Sequence, residues 1–133
     1  MANAWFNKGG EKQLKGQINW ETDVIQAHLV SADYTLNLTT HEFVSDLGAN
    51  ILATVTLGSK VISGKTFDAA DVLFTGVGAG ESAARVIISK STGVAATSPL
   101  LLNIDEITYF PITTNGADVP IQWSNATSKI MTL

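Results

Sequence analysis

From about Asp23 onward the chain alternates apolar and polar residues in short runs that are broken by glycine and small polar clusters. A period of two matches the pleat of a β-strand, where successive side chains point to opposite faces, and not the turn of a helix. The run DVIQAHLV sets Ile25, Ala27 and Leu29 against Gln26 and His28, which predicts a strand with one buried and one wetted face. ILATVTL repeats the pattern, with Ile51, Ala53, Val55 and Leu57 opposed to Thr54 and Thr56. Shorter strands are predicted in KVIS, KTF, VLFTGV, ARVIISK, LLLNI, VPIQW and KIMTL. Turns belong at Gly58, Gly64, the stretch from Asp68 to Asp71, Ser91-Thr92-Gly93 and Asn115-Gly116. Pro120 has no N–H for a ladder, so its strand belongs at an edge or begins there. Strand following strand predicts an all-β fold, an antiparallel β-sandwich of jelly-roll-like type with an N-terminal arm or short helix.

Two stretches admit helix. Thr40 is placed to cap a single turn through HEFVSDL, with Phe43 and Leu47 on one face and Gly48 ending it. AWFNKGGEKQLKG carries Trp5, Phe6 and Leu14, but Gly9-Gly10 costs about 1 kcal/mol per glycine relative to alanine, which argues against a long helix. The 133 residues fit one domain, and the expected division is an arm at residues 1–20 and a β-domain at residues 21–133.

Composition narrows the function. With 45% hydrophobic and only 15% charged residues, the chain can bury a core while covering itself with Thr, Ser, Asn and Gly. A net charge of −4 and a single arginine, Arg85, leave no basic face for phosphates, so no nucleic-acid partner is expected. Cysteine is absent, which removes disulfides, thiolate metal sites and a cysteine nucleophile. No apolar run approaches the about 20 residues that span a bilayer, and MANAWFNKGG lacks an apolar signal core, so no membrane association is expected.

A search for chemistry finds none. No serine sits in a G-x-S-x-G turn, and His28, on the polar face of its strand, reads as solvated; His41 has no evident partner. Asp68 and Asp71 offer two carboxylates against the roughly six to eight oxygens that Ca²⁺ takes, and Asp68 suits a turn equally well. Asp105 and Glu106 are neighbours, so on a strand they face opposite sides and form no acid/base pair. The glycines of residues 76–80 lead into a strand, not the helix N-terminus of a phosphate cradle. No catalytic residue, metal ligand or cofactor is expected, and the chain does not read as an enzyme. Trp123 is assigned to the core. Trp5, Phe6, Lys8, Lys12 and Lys15 are the candidate partner-binding residues: a basic, aromatic-tipped arm on a flexible Gly9-Gly10 joint suits an acidic partner patch.

NAWFNKG, NWETDVIQAHLV, DYTLN with THEFVSDL, TLGSKVISGKTFDAADVLFTGV, SPLLLNID, TNGADVPIQW and SKIMTL together resemble small structural proteins of tailed bacteriophages, over essentially the whole chain. The resemblance implies a capsid decoration or cement protein without enzymatic activity. It would be made in the host cytoplasm and carried on the virion, bound to the major capsid protein and to itself as a homotrimer. A tail, baseplate or host-surface-binding component is the alternative, and a lectin-like or hydrolytic β-sandwich is a third reading. Relatives of this pattern have a more helix-compatible stretch where this chain has Gly9-Gly10.

Overall fold

The computed structural model describes residues 4–105, 107, 109–123 and 130–132. The chain runs through β1 (Ala4–Trp5), α1 (Asn7–Leu14), β2 (Ile25–Ser31), a 3₁₀ segment (Val44–Asn50), β3 (Ile51–Thr56), β4 (Val61–Ser63), β5 (Thr66–Asp68) and β6 (Val72–Phe74). It continues with β7 (Ser82–Lys90), a 3₁₀ turn (Ala95–Thr97), β8 (Leu100–Ile104), β9 (Ile112–Thr113), β10 (Val119–Ile121) and β11 (Met131–Thr132). The protein is mostly β and its strand pairings are antiparallel. One sheet of six strands has the order β1-β8-β7-β2-β3, with β9 on β7; two smaller sheets have the orders β11-β5-β4 and β10-β6.

Alternation explains one side of the large sheet. Ile25, Ala27 and Leu29 of β2, Val86 and Ile88 of β7, and Leu102 and Ile104 of β8 enter one apolar cluster, joined by Phe67, Val72, Phe74, Val119 and Ile121 from the small sheets. Trp123 belongs to the same cluster, as its apolar context predicts. The other face departs from the sequence expectation. Over most of β2, β7 and β8 it is not wetted, because Phe6, Tyr34, Val44 and Leu47 cover Val30, Ile87 and Leu100 to form a second cluster, whereas on β3 Thr54 and Thr56 are exposed as expected. His28, on this face, is 2% exposed, which corrects its reading as a solvated residue.

The N-terminal helix is the short one that the sequence allowed. Gly9 and Gly10 lie inside α1, and its leading N–H groups find acceptors outside the helix: Phe6 donates to Leu101 O and Asn7 to Leu38 O. Gly9 is buried on the backbone of β8, where a Cβ would overlap Leu100 O and lie 3.0 Å from Leu101 Cα. The glycine thus permits a helix to touch a strand at backbone distance, and the contact compensates for its poor propensity. Thr40 does not cap the next turn; Phe43 precedes it, bridging to Pro99, and the Asp46 carboxylate accepts the N–H groups of Glu42 and Phe43. Those two N–H groups hold Asp46 below the ordinary carboxylate range.

The two glycines of α1 should respond oppositely to alanine. Gly9→Ala forces helix and strand apart and should cost at least about 2 kcal/mol, whereas Gly10→Ala, with nothing within 4 Å, should be neutral or stabilise by up to about 1 kcal/mol. Urea unfolding of the two variants beside the parent checks both.

Candidate interaction surface

The residues predicted to bind a partner are not gathered on one free arm. Phe6 is fully buried in the second cluster, and Trp5 is half-buried, pairing with Leu102 in β1 and standing edge-on to Trp20 at 5.9 Å between ring centroids. Lys12 reaches Glu42 at 2.6 Å and lies over the Phe43 ring, while Lys8 faces Glu11 at 3.8 Å. Lys15 is exposed at the end of α1. Trp5, Phe6 and α1 thus pack on the large sheet instead of extending from it. Phe6 on the second face and Trp5 against the first cluster each gain more by packing on the sheet than by remaining in water.

Exposed apolar side chains occur elsewhere. Leu14 is 90% exposed, and every residue of β4 is exposed, with Val61 and Ile62 presenting about half of their surface. β4 is the outer strand of its sheet. It is joined to β5 by the two-residue turn Gly64-Lys65, where Gly64 has φ +61°, a conformation that suits glycine. Beside this hairpin lies a recess of about 90 Å³ floored by Trp20, Phe67 and Met131 and rimmed by Gln13, Ile62 and Lys65. Its floor is fixed: Trp20 packs on Phe67 at 4.7 Å, and the Trp20 indole donates to Gln13 Oε1 at 2.7 Å.

The carboxylates and loops singled out from sequence have structural tasks. Asp68 ends β5 opposite Val61, and Asp71 accepts the Trp123 N–H at 2.9 Å. Among the described residues no three acidic or histidine side chains converge as metal ligands. Asp105 follows β8 and faces Arg85 at 3.8 Å; Glu106 lies outside the described residues. The loop of residues 76–80 buries Val77 and is held by Thr114, which donates to Gly78 O and accepts from Gly80 N through its own carbonyl.

One arrangement resembles catalytic machinery. His28 Nε2 lies 2.7 Å from Ser89 Oγ and its Nδ1 lies 2.9 Å from Thr54 Oγ1, the spacing of a nucleophile, a base and an orienting group. Ser89 is fully buried, however, so no substrate carbonyl can approach its hydroxyl in this structure, and a threonine stands where a carboxylate would stabilise an imidazolium. These bonds satisfy the buried His28 and Ser89 side chains within the sheet, while Thr54 is exposed. Sequence reading missed it because the pairing exists only in the register that sets His28 opposite Ile87, with Ser89 two residues further on. His41 is bonded as well, through Nδ1 to the Tyr34 hydroxyl at 2.5 Å.

No family model and no curated protein matches this chain.

Two measurements follow from these placements. A chain beginning at Asn19 loses Phe6 from the second cluster and should be destabilised by at least about 3 kcal/mol, enough to unfold a marginal domain; urea or thermal unfolding measures this. Burial pushes His28 down to about 4 from an ordinary value of 6.5. As pH falls through 6.5 the unfolded chain takes up this proton first, so stability should decline from there to about pH 4 and then level off for this group. The contribution is roughly 3 kcal/mol at most, and the decline should flatten in His28→Gln when unfolding is followed against pH.

Proposed function

We propose that this protein works by binding other protein surfaces and catalyses no reaction, as a structural component of a bacteriophage virion. In this reading the finer architecture is a sandwich, with the small sheets packed across the first core from the large one. The observation that carries the binding role is the exposed outer strand β4, with Val61 and Ile62 presenting about half of their surface at the rim of an aromatic-floored recess. β-proteins usually blunt such an edge with inward charge, proline or a covering loop, and an uncharged apolar edge invites another chain. The whole-chain resemblance to small phage structural proteins supports an assembled particle as the surface bound. The specific role is a capsid decoration or cement protein: a homotrimer at local three-fold positions, holding neighbouring copies of the major capsid protein. Binding the lattice and not its dissociated subunits stabilises the lattice by linkage.

The test is to add purified protein to particles of the phage whose genome encodes it, prepared without the protein. Under this reading it binds in hundreds of copies on the outer capsid and raises the temperature at which heads release DNA. Binding in small multiples of three or six at the tail would replace the capsid role with a tail role, and no binding to either would overturn the virion reading.

A further inference from the structure

We propose that the outer edge of β4 accepts an extended segment of another protein as an added strand, and that this segment carries one aliphatic side chain between acidic flanks. The assignment rests on the hairpin alone and stands or falls separately from the virion reading.

Backbone geometry comes first. Ser63 and Thr66 flank the two-residue turn, so that pair exchanges the ladder hydrogen bonds, and alternation turns the N–H and C=O of Ile62 away from β5. No strand lies on that side among the described residues. A residue placed there, opposite Ile62, can take both bonds.

Side-chain direction follows from the same register. Ile62 is paired with Phe67, so their side chains share a face, and Phe67 is the buried floor of the recess. An incoming residue opposite Ile62 projects onto that face as well, beside the recess. At about 90 Å³ the space suits one aliphatic side chain and falls short of the roughly 300 Å³ or more typical of pockets for whole small molecules. One strand and one anchoring side chain is the mode in which ladder bonds supply affinity and a side-chain pocket supplies specificity.

Charge distinguishes the occupants. Lys60 and Lys65 bracket the uncharged run Val61-Ile62-Ser63-Gly64. Lys65 is exposed without an ion pair among the described residues, and the Lys60 ammonium donates to the Asp23 carbonyl. Antiparallel pairing of β4 with β4 of a second copy would set Lys60 of each beside Lys65 of the other, like charges at both ends of a very short ladder. Acidic flanks on a different chain meet both lysines favourably.

The probe is the peptide acetyl-Asp-Thr-Thr-Leu-Thr-Thr-Asp-amide, titrated into the ¹⁵N-labelled full chain and followed by NMR. Shifts should concentrate at Ile62, Gly64, Lys65 and the Trp20 indole. Methylating the leucine nitrogen or replacing the leucine by glycine should each weaken binding about tenfold, and lysine flanks about threefold at low salt. Ile62→Pro deletes only an outward N–H, a substitution that edge strands tolerate, and should abolish the shifts while leaving the melting midpoint within a few degrees. If that variant melts early, Lys65→Glu decides: a swapped preference for lysine flanks upholds the proposal and an unchanged preference overturns it. Shifts centred elsewhere, indifference to N-methylation, or no shifts at millimolar peptide overturn it too. So does concentration-dependent self-association that Ile62→Pro removes, which would make a second copy the occupant.

Discussion

The large sheet is buried on both faces over β8 and most of β2 and β7, and most other features of the molecule answer that constraint. A sheet wetted on one side needs only the small sheets opposite β2, β7 and β8. Once Val30, Ile87 and Leu100 are apolar on the second face, something must cover them, and the cover comes from Phe6, Tyr34, Val44 and Leu47. Residues that precede β2 and the long connection between β2 and β3 thereby become structural. The same burial turns His28 from a surface group into one that must be neutral and bonded on both ring nitrogens. It also fixes the identity of Gly9, since a layer lying directly on β8 leaves no space for a side chain there.

How far the fold was legible follows from where the period-two signal reaches. β2, β3, β7 and β8 carry long alternating or continuous apolar runs, and each lies where its run predicted. The turns at Gly64 and Ser91-Thr92-Gly93 were legible for local reasons, because chain reversal and positive φ select those residue types, whereas near Gly58 the positive φ falls on Ser59. β1 and β9 were missed: two residues hold no period, and their pairing depends wholly on β8 and β7. α1 was legible only as one of two options, an arm or a short helix, because propensity penalises Gly9-Gly10 and takes no account of a strand packed against the helix. HEFVSDL was read as one turn, but its cap is Asp46 reaching back to Glu42 and Phe43, not Thr40 reaching forward.

The candidate surface was less legible still. Scarce lysines and early aromatics marked residues 5–15, and the fold spends both aromatics internally while pairing Lys12 with Glu42 and Lys8 with Glu11. The hairpin of β4 and β5 drew notice only as a short strand between glycines. What makes it an interaction surface is a matter of topology: β5 is flanked on both sides and β4 on one, so the same kind of three-residue strand is interior in one case and open in the other. No local pattern separates KVIS from KTF on that count.

The pairing of β1 with β8 has a consequence for how the chain folds. Trp5 and Leu102 are register partners, yet α1 and all the strands from β2 to β7 lie between them in sequence. A pairing of that sequence separation carries a loop-closure cost that nearer pairings such as β7 with β8 do not, and it raises the contact order of the fold. The pairing of Trp5 and the burial of Phe6 thus make the native state depend on contacts that no local segment can form by itself.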